Sequence, residues 1–355
     1  MRFHVISLPH TNTTKDFVSC AYTEKVRRFC NMMKSLGHTV YLYGGTKNEA
    51  EVDEFITCIS EEDRAEFVGD KHFADVIFDA KNKYWQMFNN KAIVEIAKRI
   101  EEKDFICLIG GNCQKPIADF FPHHMSVEFG IGYTGVFTNY RVFESYAWMH
   151  MVYAAHKDPY SVDGRYYDAV IPGYLDPEMF PLVEKKDDYY LYIGRLIERK
   201  GWRIAQEVCE ALGKRLIVAG SGEFSGYGEY VGLVGAEEKA KLMGNAIATF
   251  VPTQYIEPFG NVNIESQACG TPVITTDWGA FTETVIQGIT GYRCRTFDEF
   301  CRAAEDTISL DPKVIREHAI SKYSVDNIRY EYDKYFRRLY DLWGKGWYER
   351  HDGII

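Results

Sequence analysis

Short apolar runs alternate with amphipathic stretches along nearly the whole chain. In the first half the apolar runs predict strands near residues 2–8, 39–43, 105–109 and 125–128. Apolar residues also recur at helical spacing over residues 20–36, ending at Gly37, and over residues 91–100. Strands that alternate with helices in this way are typical of a doubly wound α/β protein with parallel sheets.

A second series of the same kind follows a stretch rich in proline and charge, which predicts a linker near residues 173–187. Its predicted strands are 189–193, 215–219, 246–251 and 272–276, and its helices cover 204–212, 237–243 and about 262–269. Residues 324–348 form a ring-rich helical pattern, which is expected to pack on protein; a membrane-surface helix is the alternative. We therefore expect domains at 1–175 and 176–324, with a helix at about 325–348 that returns to the first domain.

Composition narrows the class of protein. The chain is 46% hydrophobic and 26% charged, as expected of a globular protein, and no apolar stretch approaches the length of a membrane span. Its first eight residues predict a strand and not a signal peptide. Nine cysteines without any C-x-x-C pair disfavour a disulfide framework or a zinc site and favour the cytoplasm. A net charge of −10 disfavours a surface that binds nucleic acid or anionic lipid.

The densest chemical signal is Glu257-Pro-Phe-Gly-Asn-Val-Asn-Ile-Glu265. Glu257 follows a predicted strand at the edge of the sheet where open α/β proteins bind ligands, and Glu265 lies in the helix that comes next. The backbone N–H groups of Phe259, Gly260 and Asn261 are expected to lie at the start of that helix, without partners within it. A carboxylate accepts two hydroxyls at once, as a sugar diol requires. The alternative is an acidic pair on a solvated helix.

Two glycine-containing turns carry further candidates. Gly194-Arg195 and Lys200-Gly201 stand between a strand and a helix, where two cations suit a diphosphate; a solvated basic turn is the alternative. Gly220-Ser-Gly222 ends the next strand with small residues that let a nucleotide approach the backbone, although a lone G-x-G is a weak motif. The first turn of the chain, residues 7–14, has no glycine, which counts against an NAD enzyme.

Taken together, these motifs resemble the nucleotide-sugar-binding half of glycosyltransferase family 4, the retaining GT-B enzymes, over about residues 189–291. The resemblance implies two Rossmann-like domains whose parallel sheets face each other across a cleft. It implies that Arg195 and Lys200 hold the donor diphosphate, that Glu257 holds the transferred sugar together with the amides of residues 259–261, and that Glu265 holds the ribose. The base is expected against residues 230–234, which include Val231 and Leu233. Gly194, Gly220 and Gly222 complete the expected donor site.

The first half departs from the pattern of that family, whose members carry a Gly-Gly turn after the first strand and a histidine after a later one. Here Glu128 stands where that histidine is expected, and the first turn contains Thr13 and Thr14. These three residues and Tyr133 are the candidates for the acceptor side. The neighbouring pair His123 and His124 is more typical of a solvated loop.

The chain has no D-x-D triplet, the metal-holding element of the other main glycosyltransferase architecture. We therefore expect a retaining, metal-independent glycosyltransferase that uses a UDP- or GDP-sugar and no cofactor. An epimerase or phosphorolytic enzyme of the same fold, and an inactive sugar-nucleotide binder, are the alternatives. The acceptor is left open among a glycan, a lipid-linked sugar, a protein and a hydroxylated DNA base. Basic and aromatic residues interleave over 81–91, as in a nucleic-acid contact, but a helix entry with core rings is favoured.

Overall fold

The structure is a computed structural model of the 355-residue chain, and it describes residues 1–18, 20–155 and 164–342. The chain forms two compact units. The first comprises the described parts of Met1–Phe143, Val152–Ile171 and Arg329–Ile355, and the second comprises Glu144–Met151 and Pro172–Ile328. Each unit therefore draws on separate stretches of the chain.

The first unit is built on one sheet in which every neighbouring pair of strands is parallel. Its strands are β1 (Arg2–Ile6), β2 (Thr39–Gly44), β3 (Glu54–Thr57), β4 (Phe105–Leu108), β5 (Met125–Ile131), β6 (Tyr140–Phe143) and β7 (Ala169–Val170). Their order across the sheet is β3-β2-β1-β4-β5-β6-β7. All four predicted strands are confirmed as β1, β2, β4 and β5. Their buried, near-continuous apolar runs are what a parallel sheet covered on both faces requires.

Helices connect these strands. They are α1 (Ala21–Ser35), α2 (Glu61–Val68), α3 (Lys83–Ala97), α4 (Lys115–Phe120) and α5 (Tyr146–Ala154). The predicted helix over 20–36 is confirmed as α1. The start predicted for the next helix is wrong, because α3 begins eight residues earlier, where the Asn82 side chain accepts a hydrogen bond from the Tyr84 N–H. Tyr84, Trp85 and Phe88 are buried, so the rings of residues 81–91 belong to the core and not to an exposed nucleic-acid surface.

The last described helix, α12 (Val325–Leu342), packs its ring-bearing face on the first unit. The Phe336 ring lies 4.7 Å from that of Phe3 and 5.0 Å from that of Phe105, measured between centroids. Tyr332 meets Phe29 in the same way at 5.3 Å. Phe336 and Tyr332 therefore pack on protein, whereas Tyr330 and Tyr340 of the same helix are 54% and 37% exposed. The part of the predicted helix beyond Leu342 lies outside the described residues.

The second unit repeats the architecture with six parallel strands. They are β8 (Tyr190–Ile193), β9 (Leu216–Ala219), β10 (Glu229–Gly232), β11 (Thr249–Val251), β12 (Val273–Thr276) and β13 (Gly291–Cys294), in the order β10-β9-β8-β11-β12-β13. Its helices are α6 (Trp202–Ala211), α7 (Ala236–Asn245), α8 (Asn261–Ala268), α9 (Phe281–Thr284), α10 (Phe297–Asp306) and α11 (Pro312–Tyr323). All four strands and three helices predicted here are confirmed. The edge strands β10 and β13 were not predicted.

Both sheets share the doubly wound strand order, so each has one point where the order reverses. In the first sheet it lies between β1 and β4, and in the second between β8 and β11. Connections leave opposite faces of the sheet at that point, and the crevice beyond the carboxyl ends of the two strands is where such folds bind ligands. The loops after β8 and β11 carry Gly194–Gly201 and Glu257, and those after β1 and β4 carry residues 7–14 and 109–114.

At the point where the strand order of the second sheet reverses, Gly220 approaches the neighbouring backbone most closely. Its φ is 141°, and a Cβ there would lie 1.8 Å from the Gly194 carbonyl oxygen. Gly213 also has a positive φ, 61°, but a Cβ there has no neighbour within 4 Å. We expect Gly213→Ala to cost about 1–2 kcal/mol for the left-handed backbone alone. Gly220→Ala should cost clearly more, because the backbone must also move. Urea unfolding of both variants measures the difference, and equal costs would contradict it.

Candidate active site

Two loops at the crevice of the second unit bring opposite charges together. The turn after β8 carries Lys200, and the loop after β11 carries Glu257. Lys200 Nζ donates to Glu257 Oε2 at 2.7 Å, with the Lys200 side chain 22% exposed and the Glu257 side chain 11% exposed. The predicted diphosphate cation and the predicted sugar carboxylate are therefore neighbours, although 57 residues separate them in sequence.

A tyrosine that the motifs did not single out lies beside this pair. Lys200 Nζ is 5.0 Å from the centroid of the Tyr255 ring, and the Arg199 guanidinium is 4.8 Å from it. Burial raises the pKa of Tyr255, and the Glu257 carboxylate raises it further, so the phenol keeps its proton. Arg195 is exposed, and its charge acts on both Tyr192 and Tyr255. Two cations of the turn after β8 therefore lie over one ring.

The backbone around Glu257 is fixed from two sides. The Ala280 N–H donates to the Glu257 carbonyl oxygen at 3.1 Å, and Ser145 Oγ donates to the Pro258 carbonyl oxygen at 2.6 Å. Glu283 accepts from the N–H groups of Tyr146 and Ala147 at 2.9 and 2.8 Å, and so caps the start of α5. These contacts position the loop and not the reacting atoms. They also explain why residues 144–151 belong to the second unit.

The start of α8 leaves backbone donors available. Gly260 is its N-cap, with φ 85°, a conformation that favours glycine. Within the described part of the chain, the N–H groups of Phe259, Gly260 and Asn261 donate to no protein acceptor. The Phe259 ring itself is buried, and a Cβ at Gly173 would lie 2.4 Å from it. The backbone N–H of Phe259 therefore stays available, while its ring anchors the turn to the core.

Glu265 has a partner that the sequence did not suggest. Lys239, on α7, donates to both oxygens of the Glu265 carboxylate at 3.0 Å. The Glu265 side chain is 10% exposed and that of Lys239 26% exposed. Because a carboxylate offers about four acceptor positions, two of them remain for hydroxyl groups while the lysine is bound.

The second glycine turn lies against the first. A Cβ at Gly222 would lie 2.8 Å from Leu196 Cβ, so both Gly220 and Gly222 sit against the turn that begins at Gly194. Tyr230 on β10 donates its hydroxyl to the Gly220 carbonyl oxygen at 2.8 Å. Val231 on the same strand is 40% exposed, and Leu233, just after the strand, is 69% exposed. An exposed apolar edge beside a glycine turn suits the flat face of a base.

In the first unit, Glu128 is buried and bonded within its own domain. Its Oε2 accepts from the N–H groups of Phe137 and Thr138 and from Thr138 Oγ1 at 2.9–3.0 Å, and its Oε1 accepts from the Tyr133 hydroxyl at 3.2 Å. Burial raises the pKa of Glu128, and these four hydrogen bonds oppose that rise. The geometry makes Glu128 the anchor of the loop after β5. Its contact with an acceptor stays a prediction.

The other acceptor-side candidates are also internal. Thr13 is fully buried and bridges to Asn48, and Thr14 is 4% exposed. His123 is exposed and His124 half-buried, and both lie near the amino end of β5, away from the carboxyl edge where Glu128 and Tyr133 lie. Thr13 and Thr14 lie in the loop that follows β1, and direct contact with an acceptor stays a prediction for both.

No three His, Cys, Asp or Glu side chains among the described residues come together in a group that could hold a metal ion. No helix within residues 1–18, 20–155 and 164–342 has the length and apolar character needed to span a bilayer.

Solved structures share this fold over nearly the whole chain. Sucrose-phosphate synthase of Thermosynechococcus elongatus superimposes with a TM-score of 0.71 at 16% identity, over 96% of this chain and 100% of that one. The Anabaena protein HepE, in complex with UDP-glucose, does so with a TM-score of 0.63 at 12% identity, over 96% and 100%. The predicted fold class is therefore confirmed: the chain is an α/β protein of the GT-B type with two Rossmann-like domains.

In sequence, the second unit matches a known family. Residues 177–323 match the model of the family "Glycosyl transferases group 1". An uncharacterized glycosyltransferase of Methanocaldococcus jannaschii is 29% identical over 126 residues, which are 31% of this chain and 32% of that protein. The chain spans about a third of the length of the curated relatives it matches.

Four contributors to the site were missed by sequence reasoning: Tyr255, Lys239, Ser145 and Glu283. Tyr255 stands two residues before Glu257, so the motif around Glu257 could have pointed to it. The other three act across 26 to 137 residues of sequence. Nothing local marks such partners, because each depends on how distant helices pack.

Proposed function

We propose that the protein is a retaining glycosyltransferase that moves a sugar from a UDP- or GDP-sugar to a hydroxyl group without a metal ion. The observation that carries this proposal is the Lys200–Glu257 pair, at the crevice of the second unit and in the loop that leads to the free N–H groups of α8. The second unit binds the donor, and the first unit binds the acceptor.

The leaving group sets the requirement for positive charge. When the bond between the sugar and the diphosphate breaks, negative charge builds on the phosphate oxygens. Arg195 supplies a planar guanidinium, Lys200 a point charge, and the start of α8 a set of backbone donors. Fixed donors of this kind stabilise developing charge because they need no reorganisation during the reaction.

The carboxylates of Glu257 and Glu265 bind different parts of the donor. Glu257 holds hydroxyls of the transferred sugar, and Lys200 turns from Glu257 toward the diphosphate when the donor binds. Glu265, oriented by Lys239, holds the ribose diol. The exposed edge at Val231 and Leu233 receives the base. The UDP-glucose in the HepE complex supports a uridine nucleotide over guanosine as the first to test.

Retention follows from attack on the face that the diphosphate leaves. The acceptor oxygen forms a bond to the anomeric carbon as the bond from that carbon to the phosphate oxygen breaks. The acceptor proton passes to the departing phosphate, so no protein nucleophile is needed. Glu128 acts as a positioning residue, because its hydrogen bonds hold the loop that contains Tyr133. All nine cysteines are free thiols, which suits action in the cytoplasm.

A donor screen in excess EDTA tests the proposal. Purified protein is incubated with one nucleotide-sugar at a time, and free nucleotide diphosphate is measured. We expect slow hydrolysis of a single donor, because water replaces the absent acceptor, and we expect it to survive EDTA. Altered sugar without released nucleotide diphosphate would indicate an epimerase. Activity that EDTA abolishes and manganese restores would contradict the metal-independent mechanism.

A further inference from the structure

A cavity of about 500 Å³ opens beside the amino ends of β5 and β6 in the first unit. Its walls come from α4, from the start of β5 and from residues 137–140, which lead into β6. The volume lies in the range of small-molecule sites, about 300–1,000 Å³. The crevice of this unit lies at the carboxyl ends of the strands, so the cavity is at the opposite edge of the same sheet.

Five of the residues that line the cavity carry aromatic rings. They are Phe121, His123, His124, Phe137 and Tyr140. The Phe121 ring is buried and meets that of His124 edge to face, with 6.1 Å between the centroids. Phe137 and Tyr140 are half-buried, and His123 is exposed. Rings that share one cavity in this way offer flat apolar faces to a ligand.

The charged side chains in and around the cavity are paired. The pairs are Lys115 with Asp119, Arg165 with Asp168, and Arg2 with Glu101. Lys115 and Asp119 line the cavity itself, so an anion here would lie beside a carboxylate and a cation beside an ammonium group. The buried Glu128 accepts from the N–H groups of residues 137 and 138, and its charge further disfavours an anion. The cavity therefore suits a ligand without net charge.

A few polar groups of the cavity remain available. The His123 ring and the amide NH2 group of Asn139 have no partner within the described residues, and both residues are exposed. Arg165 donates to Asn139 Oδ1 at 3.1 Å, so the amide of Asn139 is left to donate. An uncharged imidazole has one nitrogen that donates and one that accepts. Behind these groups, His124 Nδ1 and Ser126 Oγ are buried without a partner among the described residues.

The balance of rings and polar groups restricts the shape of the ligand. A saccharide ring carries several hydroxyls, and each of them loses hydrogen bonds to water when it is enclosed without a partner. A flat heteroaromatic ring has two apolar faces and only a few polar atoms, all of them on its edge. Nucleobases are of this kind: they stack on aromatic side chains and form hydrogen bonds along their edges.

We propose that this cavity binds an uncharged, planar heteroaromatic ring of the kind found in nucleobases. The ring stacks on Phe137, and its edge forms hydrogen bonds with Asn139 and His123. The site belongs to the first unit alone, and the assignment holds whichever donor the second unit binds.

Binding of heteroaromatic rings that lack ribose and phosphate tests the assignment. N-methylated adenine, cytosine and uracil, and nicotinamide, are the uncharged probes. Orotate is the anionic probe, the N-methylnicotinamide cation the cationic one, and methyl glucoside the saccharide. Saturation-transfer NMR and calorimetry on the full chain are carried out at pH 8, where histidine is uncharged. We expect at least one uncharged heteroaromatic ring to bind at least tenfold more tightly than the other three probes. Absence of such binding, or a preference for a charged ring or for the saccharide, would overturn the assignment.

Two variants locate the bound ring. Phe137→Ala removes a stacking face and should weaken binding about fivefold or more. Asn139→Ala removes one donor and should weaken it about threefold or more. Phe55→Ala on β3 and Asn90→Ala on α3 make the same changes at a half-buried ring and an exposed amide away from the cavity, and should leave binding unaltered.

The thermal midpoint of each variant shows whether it is folded. Asn139 is exposed, so Asn139→Ala keeps the test open if Phe137→Ala does not fold. Binding that folded cavity variants retain at the wild-type level would belong to another surface, such as the edge strand β10, and would overturn the assignment. None of these measurements uses a sugar donor, so failure of the donor screen would count against the proposed function and not against this site.

Discussion

Lys200→Met should lower kcat/KM for sugar transfer by about 10²–10³, the loss expected when one preorganised donor to a developing charge is removed, about 2.7–4 kcal/mol. The side chain stands 2.7 Å from Glu257 in the free protein, so its loss also leaves a nearly buried carboxylate without its cation. Arg195→Ala should act in the same direction through the diphosphate alone, because Arg195 is exposed. Steady-state kinetics with the donor found in the screen measure both effects.

Lys313→Met is the matched control. Lys313 is an exposed lysine, 65% accessible, that pairs with Glu184 at 3.2 Å. Exposed pairs of this kind contribute about 0–1 kcal/mol, so the control should keep nearly full activity. Circular dichroism and the thermal midpoint identify any variant that loses activity by unfolding. Turnover near the wild-type level in folded Lys200→Met and Arg195→Ala would refute the diphosphate roles.

Glu257 and Glu265 should separate in their kinetics, although the motif presents them as a pair. Glu257→Gln should lower kcat more than it raises KM, because the sugar hydroxyls shift and positive charge builds on the ring as the glycosidic bond lengthens. A carboxylate therefore stabilises the transition state more than the ground state. Glu265→Gln should mainly raise KM with a modest change in kcat, because the ribose is bound equally in both states.

Calorimetry with the nucleotide diphosphate gives an independent measure. Glu265→Gln should weaken affinity for the nucleotide, while Glu257→Gln should leave it nearly intact. Lys239→Met removes the partner that orients the Glu265 carboxylate from α7. It should weaken nucleotide affinity less than Glu265→Gln does, because the carboxylate loses its orientation but keeps its acceptor oxygens. Loss of nucleotide affinity in Glu257→Gln alone would reverse the two roles.

The second unit was the more predictable half, for a physical reason. Its four inner strands, β8, β9, β11 and β12, are short, fully buried apolar runs, and its candidate binding residues stand within a few positions of the strand ends. A local sequence pattern therefore predicts both the strands and the candidate binding residues. The edge strand β10 has the burial pattern of an exposed segment, so apolar periodicity could not mark it. β13 has two partly exposed central residues and was missed for the same reason.

The first unit was less predictable because its crevice is specified by distant packing. The helix α3 was placed too late, since its first turns carry lysines and asparagines among the rings and so obscure the helical period. Glu128 was expected on the acceptor side because it stands where the histidine of the resembled family is expected. In the structure its carboxylate instead accepts hydrogen bonds from the N–H groups nine and ten residues further on. No sequence motif marks those donors.

The return of α12 to the first unit has a consequence for the order of synthesis. Phe336 packs on Phe3 and Phe105, so the first sheet closes its aromatic core with residues translated more than two hundred positions later. The second unit has all its strands and helices α6 to α11 by Ile328. On the ribosome, the half that is translated second is therefore the first to be complete. The half that is translated first lacks the cover of Phe336 over Phe3 and Phe105 until α12 emerges, and this interval is when chaperones would meet the nascent chain.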